Sequence, residues 1–391
     1  MAIYLDHNAG APLRPQAAAA LSLFIADAGG NPASVHRAGQ RARRMLEDAR
    51  VRIAALVGAS PRQIVFTSGG TESNNLAIFG AAMNASLRSK VVSSAIEHSS
   101  AREPLGDLER RGMEIVRLTP DSDGKIASSS VIEAIDSTTS LVTLGMANSE
   151  VGTLQDFEGI AERARSAGAL FHVDAAQAAG RVPVDVDAIG CDLVTISGHK
   201  FGAPAGIGAL YVRDAARIAP LMHGGPHERG LRAGTPNLAG AIAMGAAAKA
   251  AGDALAVEAS RIGTLSGLLL SRLRAGIPGL GLNGPEFGRI PNTLNLTFPG
   301  VLGESLLIAL DLEGVEVSMG SACAAGSVEP SHVLRAMGKS AAQARSSLRI
   351  SLGWNTTAAE IDAAADIIAR VWRRVAATEP VTSQHAAGAA P

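Results

Sequence analysis

Between residues 64 and 212, short apolar runs alternate with segments whose apolar positions recur every three or four residues. That alternation predicts strands separated by amphipathic helices. The predicted strands are 64–67, 91–95, 114–118, 141–146, 170–173, 193–196 and 207–212, and the helices are 71–83, 99–110 and 157–166. Strands this short and this apolar suit a mostly parallel sheet covered by helices on both faces. Upstream, the opening through about residue 14 reads as irregular, and a helix covers 17–24. A turn at Asn31-Pro32 leads to a helix over 36–57, ended by Gly58 and blocked by Pro61.

Past about residue 240 the texture changes. Two long helical stretches cover 237–275. Strand 293–298, helix 304–312, strand 315–318, helix 330–337, strand 347–351 and helix 358–375 then predict a smaller α+β domain. The tail, 376–391, is Ala, Thr, Ser and Pro and is expected to be disordered. The fold class is α/β, with a large sheet domain and a small one.

Composition narrows the function classes. The chain has 391 residues, 47% hydrophobic and 18% charged, which excludes bulk disorder. Thirty-five basic and 36 acidic residues leave a net charge of −1, so there is no broad footprint for nucleic acid or an anionic membrane. The most apolar stretch, 238–257, is interrupted by Lys249 and Asp253 and reads as a packed helix. No basic segment followed by an apolar core opens the chain, so the expected location is the cytoplasm. Cys191 and Cys323 are too few for a disulfide framework or a Cys-rich zinc site.

Three strand ends carry chemistry. Thr67-Ser68-Gly69-Gly70-Thr71-Glu72-Ser73-Asn74 links a strand to a helix, where free N–H groups and the helix dipole favour a phosphate. An ordinary turn capped by Ser68 or Thr71 has the same pattern. Asp174 follows an apolar strand, either at a ligand-binding edge or as a helix cap. Thr195-Ile196-Ser197-Gly198-His199-Lys200 gathers hydroxyl, imidazole and amine at a third strand end. Only Lys90, Lys125, Lys200, Lys249 and Lys339 are lysines, and Lys200 fits a solvated surface role worst. A phosphate loop, an acid and a strand-end lysine together suggest pyridoxal 5′-phosphate, with the lysine holding its aldehyde as a Schiff base. Cys323, among small residues in 318–327, reads as a thiol on an open loop, whereas Cys191 reads as packed. His223 and His227 flank Gly224-Gly225-Pro226, which excludes a helical ligand pair, and no metal bound by this chain alone is expected.

With those segments in view, the chain resembles the cysteine desulfurases of the nitrogen-fixation and iron–sulfur-assembly type, within the class V aminotransferases. The resemblance rests on Tyr4-Leu5-Asp6, 30–36, 66–75, Ile96-Glu97-His98, 146–153 and 172–177. It extends through 197–201, 228–235, Pro291-Asn292-Thr293-Leu294-Asn295, 320–332 and 348–353. It implies a homodimeric fold-type I pyridoxal-phosphate enzyme. Its domains would be a segment 1–14 joining the small domain, a large domain 15–255, a small domain 256–375 and the tail.

The resemblance assigns Lys200 to the Schiff base, Asp174 to the pyridine nitrogen, Gln177 to the ring hydroxyl and His98 to stacking on the ring, helping Lys200 move protons. Gly70, Thr71, Ser197, Gly198 and His199 would hold the phosphate, and Thr235 the phosphate of the partner subunit. Asn148, also beside the cofactor, and Arg349 would hold the substrate carboxylate. Cys323 would take the sulfur of L-cysteine for an iron–sulfur scaffold or another acceptor, and could ligate a cluster in complex with that scaffold. A selenocysteine lyase is the nearest rival. Departures from the family pattern fall at Ala9-Gly10-Ala11, Ala203-Pro204-Ala205 and Met319.

Overall fold

The computed structural model describes residues 2–26, 30–85, 88–320 and 329–378. β1 (Ile3–Tyr4), α1 (Pro15–Ala26) and α2 (Arg37–Leu56) come first. There follow β2 (Ile64–Thr67), α3 (Gly70–Asn84), β3 (Lys90–Ser94), α4 (Ser99–Arg110), β4 (Glu114–Leu118), α5 (Ser128–Ala134) and β5 (Thr139–Gly145). Next are α6 (Ile160–Ala167), β6 (Leu170–Asp174), α7 (Val186–Ile189), β7 (Leu193–Ser197) and β8 (Gly208–Val212). The chain then forms α8 (Leu238–Gly276), β9 (Gly281–Asn283), β10 (Thr293–Thr297), α9 (Gly303–Leu312) and β11 (Val315–Glu316). It ends with α10 (His332–Ala336), α11 (Ala341–Arg345), β12 (Ser347–Ser351) and α12 (Ala358–Thr378).

Seven strands form one sheet in the order β2-β8-β7-β6-β5-β3-β4. β8 runs antiparallel to both neighbours and the other pairings are parallel. The central strands are buried along nearly their whole length, which is why they read as apolar runs and not as alternating ones. One apolar core, from Ile53 and Phe171 to Tyr211 and Met244, packs α2 and α8 on one face. A second cluster, with Leu76, Ile78 and Leu105, packs α3 and α4 on the other. A separate core fills the C-terminal half, around the three-stranded sheet β12-β10-β9 and α12.

The structure corrects the sequence reading in three places. The two helical stretches of 237–275 are one helix, α8. Its first half is buried in the first core and its second half, from Ile262, in the C-terminal one. Lys249 and Asp253, which looked like an interruption, form an i,i+4 ion pair at 2.7 Å that supports the helix. By length and composition α8 could cross a membrane, with mean hydropathy 1.2 over its most apolar window, and half of that window is buried inside the molecule. The opening segment is not wholly irregular, because β1 pairs in parallel with β11 and inserts Ile3 and Leu5 into the C-terminal core. Helix α12 continues through Ala376–Thr378, and 379–391 lie outside the described residues.

Candidate active site

Parallel strands deliver their C-terminal ends to one edge of the sheet, and a cavity of about 580 Å³ opens there. Asp174 ends β6, in register with Gly145 of β5 and Thr195 of β7. Ser197 ends β7, and a single tight turn, Gly198–Lys200, carries His199 and Lys200 to the same edge. β2 ends at Thr67, and Gly69, at φ 157°, turns the chain into α3. A Cβ on Gly70 would lie 3.2 Å from Ser197 Cβ, so a side chain there would crowd the end of β7.

Gly70, Thr71, His98, Asn148, Asp174, Gln177, Ser197, His199, Lys200 and Arg349 all line this one cavity. Gly198 is buried in the turn that carries its neighbours. Thr235 is exposed and is not part of the lining. Cys323 lies outside the described residues, and Gly320, three positions before it, lines the cavity.

The polar contacts set the charges. Asp174 accepts from Asn74 Nδ2 at 2.7 Å on one oxygen and from the Ala176 N–H at 2.9 Å on the other. Lys200 Nζ donates to the carbonyls of Asn8 at 2.5 Å and Ala9 at 3.1 Å. His199 Nδ1 lies 3.1 Å from Ser197 Oγ, and burial, reinforced by Lys200, pushes the imidazole down to about 4, so it is neutral. His98 caps α4, and its Nδ1 accepts from the Ser100 N–H at 3.1 Å. Desolvation holds His98 below the ordinary imidazole range, with Lys200, Arg102 and Arg349 opposing a further positive charge and Asp174 favouring it.

The far wall comes from β12. Arg349 donates to Asp6 Oδ1 at 2.7 Å and to the carbonyls of Ser149 at 3.2 Å and Gly320 at 3.1 Å. Its buried Nε has no hydrogen-bond partner among the described residues. Asn148 donates to the Ile96 carbonyl and accepts from the N–H groups of Glu150 and Val151, so one of its two amide hydrogens is without a partner among the described residues.

Several lining groups went unassigned at the sequence level. Asn8 is a hub. Its carbonyl accepts from Lys200 and Gln177, its Oδ1 from Arg181 and Asn292, and its Nδ2 donates to Thr293 and Ser149. Arg181 also donates to Gln177 Oε1 and to the Lys200 carbonyl. Glu97, fully desolvated and repelled by Asp174, is raised to about 7 although the Ser94 hydroxyl donates to it at 2.5 Å. Burial also raises Glu150, which accepts from Ser331 Oγ. Asn8 lies in a segment with no periodicity, and Glu97 sits in a motif whose signal came from its histidine neighbour. At the departures from the family pattern, Ala9 supplies a carbonyl to Lys200, Ala203 is core, and Met319 packs partly buried on the C-terminal core. Cys191 is buried, and desolvation pushes its thiol up to about 12, so it is held as the neutral thiol. No group of three metal-ligating side chains occurs among the described residues.

This architecture is that of the fold-type I pyridoxal-phosphate enzymes. The class-V aminotransferase family model matches residues 3–364. The chain is 41% identical to a cysteine desulfurase IscS of Dictyoglomus turgidum, over 97% of this chain and 96% of that one. It is 42% identical to a cysteine desulfurase IscS of Pseudomonas aeruginosa, over 99% and 96%. Its fold is similar to that of a solved NifS-like protein, with a TM-score of 0.89 at 32% identity, covering 96% of this chain and 100% of that one. A structure of SspA in complex with cysteine is similar at TM-score 0.79 and 34% identity, over 89% and 98%. The chain belongs to the class-V aminotransferase family and, within it, to the cysteine desulfurases.

Proposed function

We propose that this chain is a pyridoxal-phosphate-dependent cysteine desulfurase that converts L-cysteine to L-alanine and takes the sulfur onto Cys323 as a persulfide. The observation that carries this reading is the convergence of Lys200, Asp174, the start of α3 and Arg349 on one cavity. Pyridoxal 5′-phosphate fits the groups present. Lys200 suits its aldehyde, Asp174 its pyridine nitrogen and Gln177 its ring hydroxyl. Gly70, Thr71, Ser197, Gly198 and His199 suit its phosphate, and the crowding a Cβ on Gly70 would cause leaves that corner shaped for a ligand rather than a side chain. His98, open to the cavity, suits the ring face. When bound, the cofactor supplies an electron sink.

The chain's own residues do the rest. Arg349, already held in place by Asp6, and the spare amide hydrogen of Asn148 bind the substrate carboxylate. Lys200 carries protons at the substrate. The thiolate of Cys323 attacks the substrate sulfur, so a sulfur–sulfur bond forms as the carbon–sulfur bond breaks. The bonding pair goes to the substrate carbon, which ends as the methyl group of alanine. One cysteine and one protein thiol give one alanine and one persulfide, with no outside oxidant.

The two cores would act as the large and small domains of a homodimer, with Thr235 reaching the phosphate in the partner subunit. The sulfur would pass to an iron–sulfur scaffold, nitrogenase maturation included, or to another acceptor, in the cytoplasm. Cofactor-loaded protein given L-cysteine and a reducing thiol should release alanine and sulfide in equal amounts. Consumption of cysteine without alanine would refute the reading.

A further inference from the structure

Glu150 lines the cavity, is buried, and has no part in the reaction described above. It stands two positions after Asn148 in the turn that follows β5, and its N–H donates to Asn148 Oδ1 at 2.9 Å. Its Oε2 meets two places eleven positions apart in the chain. Ser331 Oγ donates to it at 2.5 Å. The Leu334 N–H donates to the same hydroxyl at 3.1 Å, capping α10, which leaves the hydroxyl hydrogen for Glu150. Gly320 packs against the same carboxyl oxygen. A Cβ there would lie 2.8 Å from Oε2, and φ of 96° is a left-handed backbone suited to glycine. Gly320 is tied in twice more, its carbonyl accepting from Arg349 Nη1 at 3.1 Å and its N–H donating to Ser318 Oγ at 3.3 Å.

We infer that Glu150 is a positioning residue that clamps both ends of the segment carrying Cys323 to the turn that presents Asn148, so that the sulfur-accepting thiol and the substrate-binding wall share one anchor. Arg349 joins the two, because it holds the Gly320 carbonyl and is also the group assigned to the substrate carboxylate.

Chain length makes Gly320 the decisive end. Three residues lead from Gly320 to Cys323, a reach of at most about 11 Å. Eight lead from Cys323 to Ser331, which allows about 29 Å. With Gly320 released, the next fixed point is Ser318, whose backbone pairs with that of Arg349 at 2.6 and 3.0 Å. The tether then grows to five residues, or about 18 Å. A longer tether spreads the thiol over more positions and lowers the share of time it spends at the substrate sulfur.

The inference rests on the desulfurase reading for the role of Cys323, and two readouts separate them. In the cofactor-loaded protein, single-turnover labelling of Cys323 by ³⁵S-L-cysteine should be about tenfold slower in Glu150→Ala, the worth of one buried hydrogen bond. Cysteine affinity, read from the cofactor absorbance, should stay within about twofold. Amide hydrogen exchange should quicken at both Gly320 and Leu334. Glu150→Gln, whose amide oxygen can still accept from Ser331, should recover labelling and exchange. Ser331→Ala breaks the same bond from the other side, and combined with Glu150→Ala it should slow labelling no further. Unchanged labelling, quicker exchange at one end only, additive losses, or a fall in cysteine affinity that matches the fall in labelling would overturn the clamp. No label on the wild-type protein, with exchange at the two ends still coupled through Glu150, would refute the desulfurase reading and leave the clamp standing.

Discussion

Lys200 is one of five lysines, and its amine is held at the sheet edge by two main-chain carbonyls from the N-terminal segment. Borohydride treatment of the cofactor-loaded protein should fix the cofactor to the peptide carrying Lys200, and Lys200→Ala should abolish both the link and turnover. A cofactor fixed to another lysine would contradict the assignment. Arg349 can be tested without losing its charge. Arg349→Lys keeps the cation but loses the planar fork, so KM for cysteine should rise on the order of tenfold with the cofactor still bound. Unaltered KM and kcat would place the substrate carboxylate elsewhere. Lys200 and Asp174 were legible in the sequence because a lone ionisable group at the end of an apolar strand has few places to go. Asn8 was not, since its importance comes from partners up to 343 positions away, such as Ser351.

At the scale of elements, α2 is tied to β2 by a buried ion pair. Arg50 of α2 donates to both Glu228 oxygens at 2.7 and 2.8 Å, and Glu228 also accepts from the Phe66 N–H of β2 at 2.9 Å. Glu228 and Arg229 have left-handed backbones, φ 46° and 58°, a strained conformation that this pairing holds in place. Arg50→Met leaves the Glu228 charge buried without its main partner, and should cost about 3–5 kcal/mol in urea unfolding. A loss below about 1 kcal/mol would mean that the pair contributes no more than a surface one. Most elements were legible from periodicity. The ones missed are short: α5 with seven residues, α7 with four, α11 with five, β9 with three and β1 with two. Segments of that length complete too little of a period to register, and β1 exists because β11 pairs with it.

Across the whole molecule, a near-neutral chain brings a concentration of ionisable groups, Lys200, Arg349, Asp174, Glu97 and Glu150, to one cavity. Glu97 gives that concentration a pH signature. Its carboxyl is raised to about 7 in the fold from an ordinary 4.5, so ionising it opposes folding. The contribution is fully present below the ordinary value and is lost as pH rises through about 7. Glu97→Gln mimics the protonated acid, so variant and wild type should be equally stable below the ordinary value of 4.5, and the variant increasingly more stable as the pH rises from there to about 7. Equal stability across that range would mean that Glu97 is not desolvated as its contacts indicate.

The central claim is sulfur transfer to one particular thiol, and a single labelling measurement reaches it. Protein loaded with cofactor and incubated with ³⁵S-L-cysteine is digested and the labelled peptide is identified, alongside alanine release. The account predicts label on Cys323, no label on Cys191 with its buried, neutral thiol, and a Cys323→Ala variant that binds cofactor normally but retains no label. Label on Cys191, or undiminished alanine production by Cys323→Ala, would contradict it.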